Sequence, residues 1–88
     1  MEKGTVVVSK AGRDKGYLLC VVNVSEEDGH VLVCDGRERP LERPKKKNPR
    51  HIEPVDCPGL TWELRGNKAL RKAINRLSNK SLGDKLAQ

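Results

Sequence analysis

Between Gly4 and Asp35 the apolar residues come in short β-branched runs separated by polar turns, and beyond Asn67 they recur at helical spacing. Gly4 to Ser9 predicts a strand, since Thr5, Val6, Val7 and Val8 are all β-branched or flank such residues. Lys10 to Lys15 is a polar turn, with Gly12 and Gly16 free to take positive φ. Tyr17 to Val24 predicts a second strand, whose period of two places Leu18, Cys20, Val22 and Val24 on a buried face. Ser25 to Gly29 closes a hairpin, His30 to Asp35 supplies a third strand, and Asp35-Gly36 turns the chain again.

Prolines at 40, 44, 49, 54 and 58 exclude helix from the next interval, because each removes a donor and restricts its neighbour. Short edge strands are expected around Arg39 to Glu42 and Arg50 to Val55. Three firm strands and two short ones predict a mainly β fold, a small bent sheet closed into a barrel that leaves few exposed edges. Leu60 to Leu64 predicts a short helical turn, and Asn67 is placed to cap a helix from Lys68. On that helix Leu70, Ala73, Ile74 and Leu77 share one side, while Arg65, Lys68, Arg71, Lys72 and Arg76 gather on the other. Beyond Ser78 the pattern weakens and the helix is expected to fray. The reading divides the chain into a barrel, residues 1–56, and a C-terminal amphipathic α-helical extension, residues 57–88.

Charge changes the picture. The formal +6 of the 88 residues is concentrated in two blocks. Arg37, Arg39, Arg43, Lys45, Lys46, Lys47 and Arg50 face only Glu38 and Glu42, and the cations after Cys57 face only Glu63 and Asp84. A uniformly solvated surface would not sort its charge this way. The prolines hold the first block extended, so its cations are expected to stay unpaired and to favour a polyanion. Alternative readings are a disordered basic linker or, from the promiscuous string PKKKNPR, a nuclear address.

The stretch GTVVVSKAGRDKGYLLCVVNV resembles the KOW motif of ribosomal proteins and transcription elongation factors. The matching residues are Val6, Val8, Lys10, Gly12, Arg13, Lys15, Gly16, Val21, Val22 and Val24. The continuation HVLVCDG is similar to KOW-type large-subunit ribosomal proteins and to the short KOW-domain RNA-binding proteins of Gram-positive bacteria. The likeness covers residues 3–36 well and 37–53 loosely, and no family pattern falls on 57–88. It implies an SH3-like barrel that binds structured RNA, often ribosomal RNA within the ribosome. It also implies that Gly16 closes the first loop and that the flanking cations approach phosphates. The acidic tip Glu26-Glu27-Asp28 departs from that role and should point away from RNA.

The residues argue the same way without the resemblance. A glycine-bounded turn that exposes backbone N–H groups beside Lys10, Arg13 and Lys15 suits an anion; a merely solvated hairpin is the alternative. The expected RNA contacts are therefore Lys10, Gly12, Arg13, Lys15 and Gly16 of the loop, and Arg37, Arg39, Arg43, Lys45, Lys46, Lys47 and Arg50 of the proline-spaced segment. Lys68, Arg71, Lys72 and Arg76 of the helix extend the stripe. Successive base stacking is not expected from a chain whose only aromatics are Tyr17 and Trp62. Trp62 is assigned to packing between helix and barrel, and Tyr17 either to structure or to one base.

Other classes fit less well. His30 and His51 have no adjacent nucleophile or carboxylate pair, and Gly12-x-x-x-Gly16 lacks the ending of a phosphate-binding loop, so no enzyme is expected. A proline-peptide module needs an aromatic-lined groove. Cys20, Cys34 and Cys57 are odd in number and widely spaced, which argues against disulfides and zinc and for a reducing, cytoplasmic setting. No apolar run reaches membrane-spanning length, and the first residues lack a secretion signal's apolar region. The expectation is a cofactor-free protein, monomeric when free, that partners RNA and the ribosome or its proteins and takes no membrane or small-molecule substrate. A protein-interaction module working through the amphipathic helix is the second hypothesis.

Overall fold

The computed structural model describes the backbone of residues 2–86 and the side chains of residues 2–78. Its five strands are β1 (Val6–Ser9), β2 (Leu18–Val24), β3 (Val31–Cys34), β4 (Lys45–Lys47) and β5 (Ile52–Pro54), followed by helix α1 (Asn67–Leu86). They form one antiparallel sheet in the order β4-β3-β2-β1-β5. A 3₁₀ turn, Pro49–His51, leads from one edge strand to the other, and Asn48 caps it by accepting the Arg50 N–H at 3.0 Å. A second 3₁₀ turn, Trp62–Arg65, precedes the helix, close to the helical turn expected from Leu60 to Leu64.

Two strand expectations change. The fourth strand is the lysine run Lys45–Lys47 and not Arg39 to Glu42. Residues 35–39 instead form a tight turn in which Asp35 Oδ1 accepts the N–H groups of Arg37 and Arg39, each at 2.9 Å. An aspartate that satisfies two backbone donors locally removes them from any ladder. The buried set on β2 also differs: Leu19, Cys20 and Val21 are the fully buried residues, while Leu18, Val22 and Val24 are half-buried. The cause is that both faces of the sheet are covered. Val7, Leu19, Val21, Val31, Val33 and Ile52 pack together inside the curl of the sheet. On the opposite face Val6, Cys20 and Cys34 pack against Leu60 and against Leu70, Ala73 and Ile74 of α1. A central strand covered on both sides carries a continuous apolar run, which Leu18 to Val22 is.

The apolar row of α1 thus docks on the sheet of its own chain, with Leu77 half-buried beside it. Asn67 does not serve as a cap with its side chain. Its Oδ1 accepts the Leu41 N–H at 2.7 Å and its Nδ2 donates to both oxygens of Glu42 at 2.9 and 3.0 Å. That clasp fixes the start of the helix to the β3–β4 connection, and Gly36 makes the close approach possible. Gly36 has φ +79°, and a Cβ there would collide with the Asn67 carbonyl oxygen and come within 2.9 Å of Arg71 N. The helix continues past Ser78 to Leu86, because extending a nucleated helix adds one hydrogen bond per residue fixed. No helix among the described residues is long and apolar enough to cross a membrane.

Candidate nucleic-acid interface

The loop between β1 and β2 is built around one carboxylate. Ser9, the last residue of β1, is buried, and its hydroxyl donates to Asp14 Oδ1 at 2.7 Å. Lys47 of β4 reaches the same place: its Nζ donates to Asp14 Oδ1 at 2.9 Å, to Ser9 Oγ at 3.0 Å and to the Ala11 carbonyl at 2.9 Å. Burial alone would push the Asp14 carboxyl up. Hydrogen bonds from Lys47 and Ser9, with the charges of Lys47 and Lys45, outweigh it and hold the carboxyl at about 2. Asp14 Oδ2 is buried, makes no hydrogen bond among the described residues and faces the Lys45 ammonium at 3.6 Å.

This cluster overturns two expectations. Lys47 is 6% exposed and fully engaged, so it is an internal staple between β4 and β1 and not a free cation. The lysine run is also not unpaired. Lys45 and Lys47 meet Asp14, and Lys46 meets Asp28 of the β2–β3 hairpin at 2.7 Å. The Lys46 hydrogen bond, with that of the His30 N–H, holds the Asp28 carboxyl below the usual carboxylate range. An extended chain still pairs its charges when neighbouring strands bring acids to it, which sequence spacing alone did not reveal.

Gly12 and Gly16 take the expected positive φ, +85° and +88°. The loop's backbone is less available than expected, however. The N–H groups of Lys10, Lys15, Gly16 and Tyr17 donate to the carbonyls of His51, Gly12, Ser9 and Asp14. What this loop offers an anion is chiefly its side chains, and Lys10, Arg13 and Lys15 are all exposed.

The fold brings Arg39, Lys45 and Arg50 to this loop. Arg13, Arg39 and Lys45 line an open cleft of about 250 Å³ together with Asp14 and Glu38. The Lys10 N–H donates to His51 O at 2.7 Å, which sets the 3₁₀ turn carrying exposed Arg50 beside the loop. Away from the loop, Gly36, the neighbour of Arg37, packs against the backbone of Asn67 and Arg71 in the first turn of α1. Arg37, Arg39, Arg43, Arg50, Lys68, Arg71, Lys72 and Arg76 are exposed. No carboxylate among the described residues lies within ion-pair distance of Lys10, Arg13, Lys15, Arg37, Arg39, Arg43 or Arg50. Lys72 and Arg76 continue along the outward side of the helix.

Sequence reasoning missed Ser9 and Asp14 as organising residues, assigned Asn67 to a cap where it clasps Leu41 and Glu42, and misplaced Trp62. The signals were slight: a serine ending an apolar strand and a lone acid inside a basic loop. Trp62 is 66% exposed, with the Arg65 guanidinium 5.6 Å from its ring centroid, and it joins neither core cluster. Among the described residues no group of His, Cys, Asp and Glu is arranged to hold a metal ion. Burial pushes the Cys20 thiol up to about 12 and the Cys34 thiol up to about 11, so both stay protonated as small packing residues. The chain matches no protein-family model and no curated protein sequence at a significant level.

Proposed function

We propose that the chain is an RNA-binding module with an SH3-like barrel of KOW type, acting on structured RNA, ribosomal RNA foremost, in the cytoplasm. The observation that carries this reading is the meeting of exposed Arg13 and Arg39 in one cleft, over Asp14 and Glu38, with exposed Lys10 and Arg50 on the segments joined by the Lys10–His51 hydrogen bond; none of these four cations has a carboxylate within ion-pair reach among the described residues. Exposed cations held close together repel one another, and a phosphate backbone relieves that repulsion. The strand order and the 3₁₀ link between the edge strands suit the barrel, which the Lys47 side chain would help to close. The interaction-module alternative is the less favoured, because Leu70, Ala73 and Ile74, the apolar row it would use, are buried against the sheet.

Binding in this reading is led by phosphates, so affinity falls steeply with salt. Neutralising about six phosphates gives a log–log slope of about −4 to −5. Fluorescence polarisation of a labelled ribosomal RNA hairpin across a salt series measures it. A flat salt dependence, or no binding at low salt, would refute the reading. Within the series, Arg13→Gln with Arg39→Gln should lower affinity uniformly across RNA sequences and make the slope shallower by about 1.5.

A further inference from the structure

Both aromatic side chains lie on the outside of the molecule, Trp62 at 66% exposure and Tyr17 at 58%. A small domain usually spends its aromatic rings on its core, because each buries more apolar surface than an aliphatic side chain. Here the interior is filled by Val, Leu, Ile, Ala and Cys. Trp62 stands in the short turn before α1, which ends at the extended Gly66, and the Arg65 guanidinium lies over its ring, 5.6 Å from the centroid. An exposed indole with a guanidinium over one face offers its other face to a nucleobase and sets a cation beside it for the flanking phosphate. An acidic peptide would answer the guanidinium and leave the indole in water, and an apolar protein surface would leave the guanidinium unanswered.

We propose that Trp62 is the stacking platform for one unpaired nucleotide of the bound RNA, with Arg65 on the adjoining phosphate. The proposal rests on the RNA-binding reading and narrows it. Phosphate contacts around the Arg13–Arg39 cleft do not sense pairing, whereas an indole stacks only on a base that has left its helix. The preferred ligand is then a folded RNA with a bulge or an open loop, and not an uninterrupted duplex.

The only tryptophan of the chain is its own reporter. Two RNAs of equal length would be titrated into the 88-residue chain, one a continuous duplex and one carrying a bulged purine. The bulged RNA should quench Trp62 fluorescence and the duplex should not. Trp62→Leu should bind the bulged RNA about tenfold more weakly by polarisation, Trp62→Phe should restore most of that loss, and duplex binding should stay unchanged. Circular dichroism verifies that both variants fold. If both RNAs bind, fluorescence does not move and Trp62→Leu binds as the parent does, stacking is overturned while the phosphate-led reading stands. If neither RNA binds, both fall together, and quenching by an acidic polyglutamate peptide alone would identify a protein ligand in their place.

Discussion

Lys47 Nζ and Asp14 Oδ1 lie 2.9 Å apart although 33 residues separate them, and neither side chain is more than 14% exposed. Through this pair the edge strand β4 holds the loop that carries Lys10, Arg13 and Lys15.

Removing one partner leaves the other charge buried. Lys47→Gln should therefore cost about 3 kcal/mol of unfolding free energy in urea denaturation. Lys46→Gln, which breaks a solvent-exposed pair with Asp28, should cost less than about 1 kcal/mol. Two neighbouring lysines should thus differ severalfold in effect.

A carboxyl held below its ordinary value stabilises the fold above that value. Asp14 sits at about 2 against an ordinary 3.8, so its contribution is complete above 3.8 and disappears as pH falls toward 2. The amount is about 2 kcal/mol. Asp14→Asn should lose stability at neutral pH and show a correspondingly flatter decline on acidification, read from urea midpoints across the acid range.

Gly36→Ala should be far more damaging than Gly29→Ala. Both glycines have positive φ, but a Cβ at Gly29 meets nothing whereas one at Gly36 meets the helix backbone. The Gly29 variant should lose about 1 kcal/mol from backbone strain alone. The Gly36 variant adds displacement of α1, visible as a larger fall in midpoint and as new chemical shifts for Leu41 and Asn67.

Thiol titration with an aromatic disulfide should find one fast-reacting cysteine in the folded protein and three after denaturation. Cys57 is partly exposed, while Cys20 and Cys34 are buried and held in the thiol form. Rapid reaction of two thiols in the native state would contradict the packing of the helix over Cys20 and Cys34.

Much of the fold is local in origin and could be read from the residues. The β-branched run at Thr5 to Val8 and the helical spacing of Leu70, Ala73, Ile74 and Leu77 each state their structure within a few positions. The role of Lys47 could not be read that way, since a lysine within a basic run looks solvated until Ser9 and Asp14 are folded against it. The double burial of β2 was visible in principle: five apolar residues in succession, Leu18 to Val22, fit no one-sided strand. Trp62 lies in a non-periodic segment, where nothing local decides between interior and surface. The cationic loop showed its composition in the sequence, but the arrival of Arg39 and Arg50 beside it depends on tertiary contacts, the Lys10–His51 hydrogen bond among them.

The seat of α1 against Val6, Cys20 and Cys34 ties the two ends of the chain into a shared interior. A proteolytic nick near Pro58 would yield two fragments with matching sticky faces, neither able to shield its half of that interior. Such a cleaved protein would keep its helix only by association, and dilution would strip the helix from the sheet.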